Sequence, residues 1–150
     1  MSAPPLEQVA ATLRDFVARA GAVRGVALLD RGAEAPVVVD CDASGALEVE
    51  EAGEVRELWV GPDAGTLAQP HVHALPAMEV DPASGEVVGT IGGLQHLATA
   101  VGELAAALGG RTVATVQFAT SDPEAPLAVS ARTGEPPVFA LGEETFALPD

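Results

Sequence analysis

One helix pattern is written twice in this chain, each time followed by a pair of strand-like segments. Leu6, Val9, Leu13 and Phe16 align with Leu94, Leu97, Val101 and Leu104, while Ala10, Ala18 and Gly21 align with Ala98, Ala106 and Gly109. Downstream, Glu34-Ala35-Pro36-Val37-Val38-Val39 echoes Glu124-Ala125-Pro126-Leu127-Ala128-Val129, the offset having grown by two residues in the intervening turn. A fold made this way needs one apolar layer that serves both units, so the expected organisation is a single domain. Its pseudo-repeats run over about 5–60 and 92–148, with a loop and hairpin insert at 61–91.

The first helix follows Pro4-Pro5, where helix starts tolerate proline, and carries apolar residues at 6, 9, 13, 16, 17 and 20 on one face. Gly21 is placed to end it in the left-handed conformation. Strands are expected at Val23–Asp30, Pro36–Asp42, Leu47–Glu50 and Val55–Val60. The stretch 61–74 contains two prolines and no periodicity, so it reads as a loop. Pro76–Val80 and Glu86–Ile91 then flank a turn, Asp81-Pro82-Ala83-Ser84-Gly85. A second helix, Gly92–Leu108, precedes strands at Thr112–Thr120, Leu127–Arg132, Val138–Leu141 and Thr145–Leu148. Two amphipathic helices cannot cover both faces of so long a sheet. The expected fold class is therefore α+β: a largely antiparallel sheet with two amphipathic helices on one face and a duplicated helix-plus-strands unit.

Charge excludes more than it suggests. Twenty-two Asp and Glu stand against seven Arg and no Lys, giving a net charge of −15 over 150 residues. Such a surface repels nucleic-acid phosphates and anionic lipid headgroups, so neither partner is expected. Without Lys the chain has no Schiff-base chemistry and no P-loop. The single Cys41 excludes an internal disulfide and a multi-Cys metal site, which fits a reducing compartment. No signal-like h-region follows Met1, and no apolar run is long enough to span a membrane, so a cytoplasmic location is expected.

The sequence Gly-Ala-Val-Arg-Gly-Val-Ala-Leu-Leu-Asp-Arg-Gly at 21–32, carried by Val23, Val26 and Leu28–Gly32, together with the pattern around Leu94–Leu104, resembles the roadblock/LC7 domain. The resemblance covers about two-thirds of the chain and leaves the fifty residues before the second helix outside it; the family's closing helix is missing. It implies a profilin-like sheet with helices on its faces. It also implies a dimeric scaffold or regulator of small GTPases in place of an enzyme.

Three groupings carry possible chemistry. Asp40, Asp42, Ser44, Gly45 and Glu51 have the spacing of an EF-hand calcium loop, with Leu47 in its apolar place. The β-branched run Val37-Val38-Val39 before them favours a strand and a plain hairpin turn at Ala43-Ser44-Gly45. His71 and His73, with Glu79 and His96, could hold zinc or iron, since a His-x-His pair on a strand puts both imidazoles on one side. The bland alternative is two loop histidines and a third on a helix's first turn. Cys41 lies between Asp40 and Asp42, which disfavour its thiolate, and the five serines form no Gly-x-Ser-x-Gly elbow. No catalytic residue is expected. Trp59, between Leu58 and Val60, reads first as a core residue and otherwise as an interface anchor, and with Phe146 and Leu148 it makes up the candidate interface residues. The reading that results is a non-enzymatic, homodimeric protein-interaction module with no cofactor. A small metal-binding protein or metalloenzyme built on His71, His73 and Glu79 is the alternative.

Overall fold

The structure, a computed structural model, describes residues 6–30, 35–61, 63, 65–67, 79–80, 87–88, 91–109, 112–118 and 126–146. Its element order is α1 (Leu6–Ala20), β1 (Arg24–Leu29), β2 (Val37–Asp42), β3 (Leu47–Glu51), β4 (Glu54–Leu58), β5 (Glu79–Val80) and β6 (Val87–Val88). There follow α2 (Ile91–Leu108), β7 (Thr112–Phe118), β8 (Leu127–Arg132), β9 (Val138–Leu141) and β10 (Glu144–Phe146). Eight strands form one sheet in the order β10-β9-β8-β7-β1-β2-β3-β4, and β5 and β6 pair with each other. Every pairing is antiparallel. The fold is α+β, as the sequence pattern implies.

Both helices stop at glycines that take the left-handed conformation, Gly21 at φ 66° and Gly109 at φ 84°. Beyond the first, the Ala22 N–H donates to the Val17 carbonyl at 3.1 Å; at the second, the Gly109 N–H reaches the Ala105 and Ala106 carbonyls at 3.2 and 3.1 Å. Strand alternation then sorts the sheet into two faces. One row runs Phe139, Val129, Val116, Gly25, Cys41, Leu47 across six strands, and its side chains are buried. α1 lies over β1 and β2, and α2 over β7 and β8, both on that face. Phe16 and Leu13 of α1 and Leu97, Leu104 and Leu108 of α2 complete the core. The neighbouring row, Val113, Leu28, Val38, points the other way and is only half-buried. No described helix lies on that second face.

The halves correspond strand by strand. A shift of 89 residues carries Gly25 and Ala27 of β1 onto Ala114 and Val116 of β7, the positions on the buried face. A shift of 90 carries Val37 and Val39 onto Leu127 and Val129, and Val49 onto Phe139. The strand order is accordingly symmetric about the β1–β7 pair.

Several boundaries differ from the expectation. α2 starts one residue earlier, at Ile91, and the final strand is Glu144–Phe146, leaving Leu148 outside the described residues. The fourth strand ends at Leu58 instead of Val60. Its partner β3 begins at Leu47, opposite Leu58, and beyond that point the chain is tied to α1: Arg14 Nη1 donates to the Val60 carbonyl at 2.8 Å and Nη2 to the Gly61 carbonyl at 3.1 Å. Farther along, the Leu67 N–H donates to Thr12 Oγ1 at 3.0 Å, continuing the same path. The acidic strand β3, which alternates apolar and acidic as a half-wet strand does, is interior to the sheet, because β4 pairs outside it.

Candidate functional site

Between each helix and the hairpin turn beside it lies an open cleft. The first, about 580 Å³, is bounded by Arg14, Asp15 and Arg19 of α1 and by Asp42, Ser44 and Gly45 of the β2–β3 turn. The second, about 620 Å³, is bounded by Gln95, Thr99 and Gly102 of α2 and by Arg132, Thr133 and Glu135 of the β8–β9 turn. They occupy corresponding places in the two halves. Polar groups in the first cleft already have partners within the chain. Arg14 holds the Val60 and Gly61 carbonyls, and Arg19 Nε donates to Asp15 Oδ1 at 3.2 Å. Asp42 Oδ1 accepts from the Ser44 N–H at 2.9 Å, the Ser44 hydroxyl at 2.6 Å and the Ala46 N–H at 3.1 Å. Those bonds, the Ser44 hydroxyl's foremost, hold the Asp42 carboxyl below its ordinary pKa.

Part of the calcium-type spacing falls on this turn. Asp42-Ala43-Ser44-Gly45 closes a hairpin, with Gly45 at φ 90° and its N–H on the Asp42 carbonyl at 3.0 Å. Asp40 stands on the sheet face opposite the helices, where Arg24 Nε donates to both its oxygens at 2.9 and 3.0 Å and Arg24 Nη2 bonds Oδ2 as well. That bonding raises the Arg24 pKa from its ordinary value. Glu51 lies at the far end of β3, opposite Val37, so the structure does not bring it to Asp40, Asp42 and Ser44. Among the described residues no three His, Cys, Asp or Glu are grouped to hold a metal ion.

Of the histidine grouping, His71 and His73 lie outside the described residues, and Glu79 is described only as a backbone position on β5. His96 sits half-buried in the second turn of α2, not the first, and its Nε2 is buried without a hydrogen-bond partner.

Cys41 is fully buried, and its thiol is pushed up to about 11, first by burial and then by the Asp42 charge. The chain has neither Lys nor Tyr, so between about pH 9 and 11 Cys41 is the one side chain that titrates. The unfolded thiol loses its proton first, near 9.0, whereas the folded thiol keeps it until about 11, so stability should fall as pH rises through that window. Cys41→Ala should abolish the decline. Chemical denaturation at stepped pH measures it; an identical decline in the variant would contradict the assignment.

The remaining candidates are aromatic. Trp59 is 83% exposed, which corrects the core reading: Arg14 ties Val60 to α1, and the adjacent side chain points out. It follows the edge strand β4, on which Val55 is 62% exposed. At the opposite edge, Phe146 of β10 is 38% exposed and stacks on buried Phe139, their centroids 5.4 Å apart. No described helix is long and apolar enough to cross a membrane. The chain matches no family model, no curated protein and no solved structure.

Proposed function

We propose that the chain is a non-enzymatic scaffold or regulatory module that binds protein and acts as a homodimer in the cytoplasm. The observation that carries this reading is that, among the described residues, both ends of the eight-stranded sheet are unpaired and each has an exposed aromatic beside it, Trp59 at β4 and Phe146 at β10. Unpaired edges are surfaces that proteins cover, charge or pair, and large aromatics anchor interfaces. Two-fold pairing of one such edge with its counterpart gives a closed dimer. The resemblance of 21–32 and 94–104 to the roadblock/LC7 domain points the same way. The net charge of −15 opposes association, so the dimer should strengthen as salt screens the repulsion. Light scattering at tens of micromolar protein across a salt series should show a dimer; a monomer throughout would contradict the reading. Trp59→Ser and Phe146→Ser then assign the edge.

The correspondence of the halves supports their descent from one unit. Superposing 6–58 on 94–146 is the check, and helix crossing directions that disagree would count against it.

A second reading, a metal site formed by His71, His73, Glu79 and His96, draws support from the partnerless Nε2 of His96. Elemental analysis finding one tightly held transition metal per chain would place that reading first.

A further inference from the structure

We propose that the face of the eight-stranded sheet on which no described helix lies docks a basic amphipathic helix belonging to a protein partner. The proposal rests on the reading of the chain as an interaction module and names the chemistry of what it binds. Along the middle of the face, Val26 and Leu28 of β1, Val38 of β2 and Val113 of β7 form an apolar strip that is only half-buried. Three strands at a spacing of about 4.8 Å make it about 10–14 Å wide, which matches a helix diameter. A sheet with one face covered by helices gains a third layer most simply by adding another helix.

Charge fixes the rest of the partner's character. On one flank of the strip, Glu48 and Glu50 of β3 and Glu57 of β4 are exposed; Arg24 attracts Glu48 across the face, but no cation among the described residues hydrogen-bonds to any of the three. On the other flank, β8 offers Ala128, Ser130, which is bonded to Thr115 at 2.9 Å, and at its end Arg132, opposite Val113 and ion-paired with Glu135 at 3.9 Å, so this side carries no net charge. Asp40, nearer the centre, is already neutralised by Arg24. A helix complementary to this surface has an apolar stripe, Lys or Arg along one side, and small polar residues along the other. A nucleic acid or an anionic membrane would meet the carboxylates first and be repelled.

The probe is a designed helix of about 14 residues, long enough to span a strand of this sheet, with a Leu stripe and Lys on one flank. It is titrated into methyl-labelled full-length protein and followed by NMR. Shifts should concentrate at Val26, Leu28, Val38 and Val113. The triple variant Glu48→Gln, Glu50→Gln, Glu57→Gln should weaken binding at least about ten-fold, while neutralising Glu7, Glu54 and Glu143 elsewhere should change it less than about two-fold. Val38→Thr, which keeps shape and fold, should also weaken it. A peptide with Glu in place of Lys should not bind. Shifts spread over the whole surface, equal loss in the two triple variants, or no saturable binding would overturn the proposal. Light scattering on the same samples reads self-association separately, so failure of the dimer and failure of this docking are distinct results.

Discussion

Phe139→Ala should cost about 3–5 kcal/mol, the range for truncating a fully buried aromatic. Phe139 has no exposure, although it sits one strand from the sheet edge. It faces Val129 of β8 and stacks on Phe146 of β10, so its loss opens a cavity beside Val129 and removes the support of the last strand. Phe146→Ala removes a ring that is 38% exposed and should cost only about 0.5–1.5 kcal/mol. For a domain held by about 5–15 kcal/mol, the first change takes a large share of the total. Urea denaturation should show the midpoint falling with the slope unchanged. Equal costs for the two variants would mean that Phe139 is not the core residue this structure makes it.

Gly25→Val should destabilise the fold by about 3 kcal/mol, the upper end of the overpacking range. A Cβ at this position would lie 2.5 Å from Val17 Cγ2 and 3.0 Å from Leu13 Cδ1, closer than real Cβ contacts. Val17 cannot swing aside easily, because a β-branched side chain in a helix holds one rotamer. The glycine thus sets how closely α1 approaches β1. Its counterpart in the other half is Ala114, where a methyl group is already accommodated beneath α2. The clash has a specific signature. In the Val17→Ala background, Gly25→Ala should cost less than it does alone, a coupling that thermal or chemical denaturation of the four proteins resolves. Strict additivity would place the strain elsewhere.

The helices and most strands were legible because their signals are local. Leu6, Val9, Leu13 and Phe16 repeat at helical spacing, and Val37–Asp42 alternates in burial as its residues suggest. The count of helices against strands also foretold that both helices would share a face. What was not legible depends on contacts distant in sequence. Nothing near Trp59 says that Arg14, over forty residues earlier, holds the Val60 and Gly61 carbonyls. Gly25 within a strand pattern reads as a weak spot, and only the packing of Val17 shows it to be a required gap. Likewise β3 alternates apolar and acidic residues, and only its pairing with β4 shows that its charges lie on an interior strand, on the face away from the helices. For the candidate site, the acidic loop was legible as a hairpin from the β-branched run before it, whereas the calcium-type spacing alone was ambiguous. The His71 and His73 expectation falls outside the described residues.

Two helices seal one face of the sheet, and no described helix covers the other. Solvent paramagnetic broadening of methyl NMR signals tests it most directly. With a soluble paramagnetic agent, the methyls of Val26, Leu28, Val38 and Val113 should broaden strongly, while those of Val39, Val116, Val129 and Leu104, fully buried on the helix side, should stay sharp. Equal protection of the two sets would mean that the second face is covered, and would contradict the account.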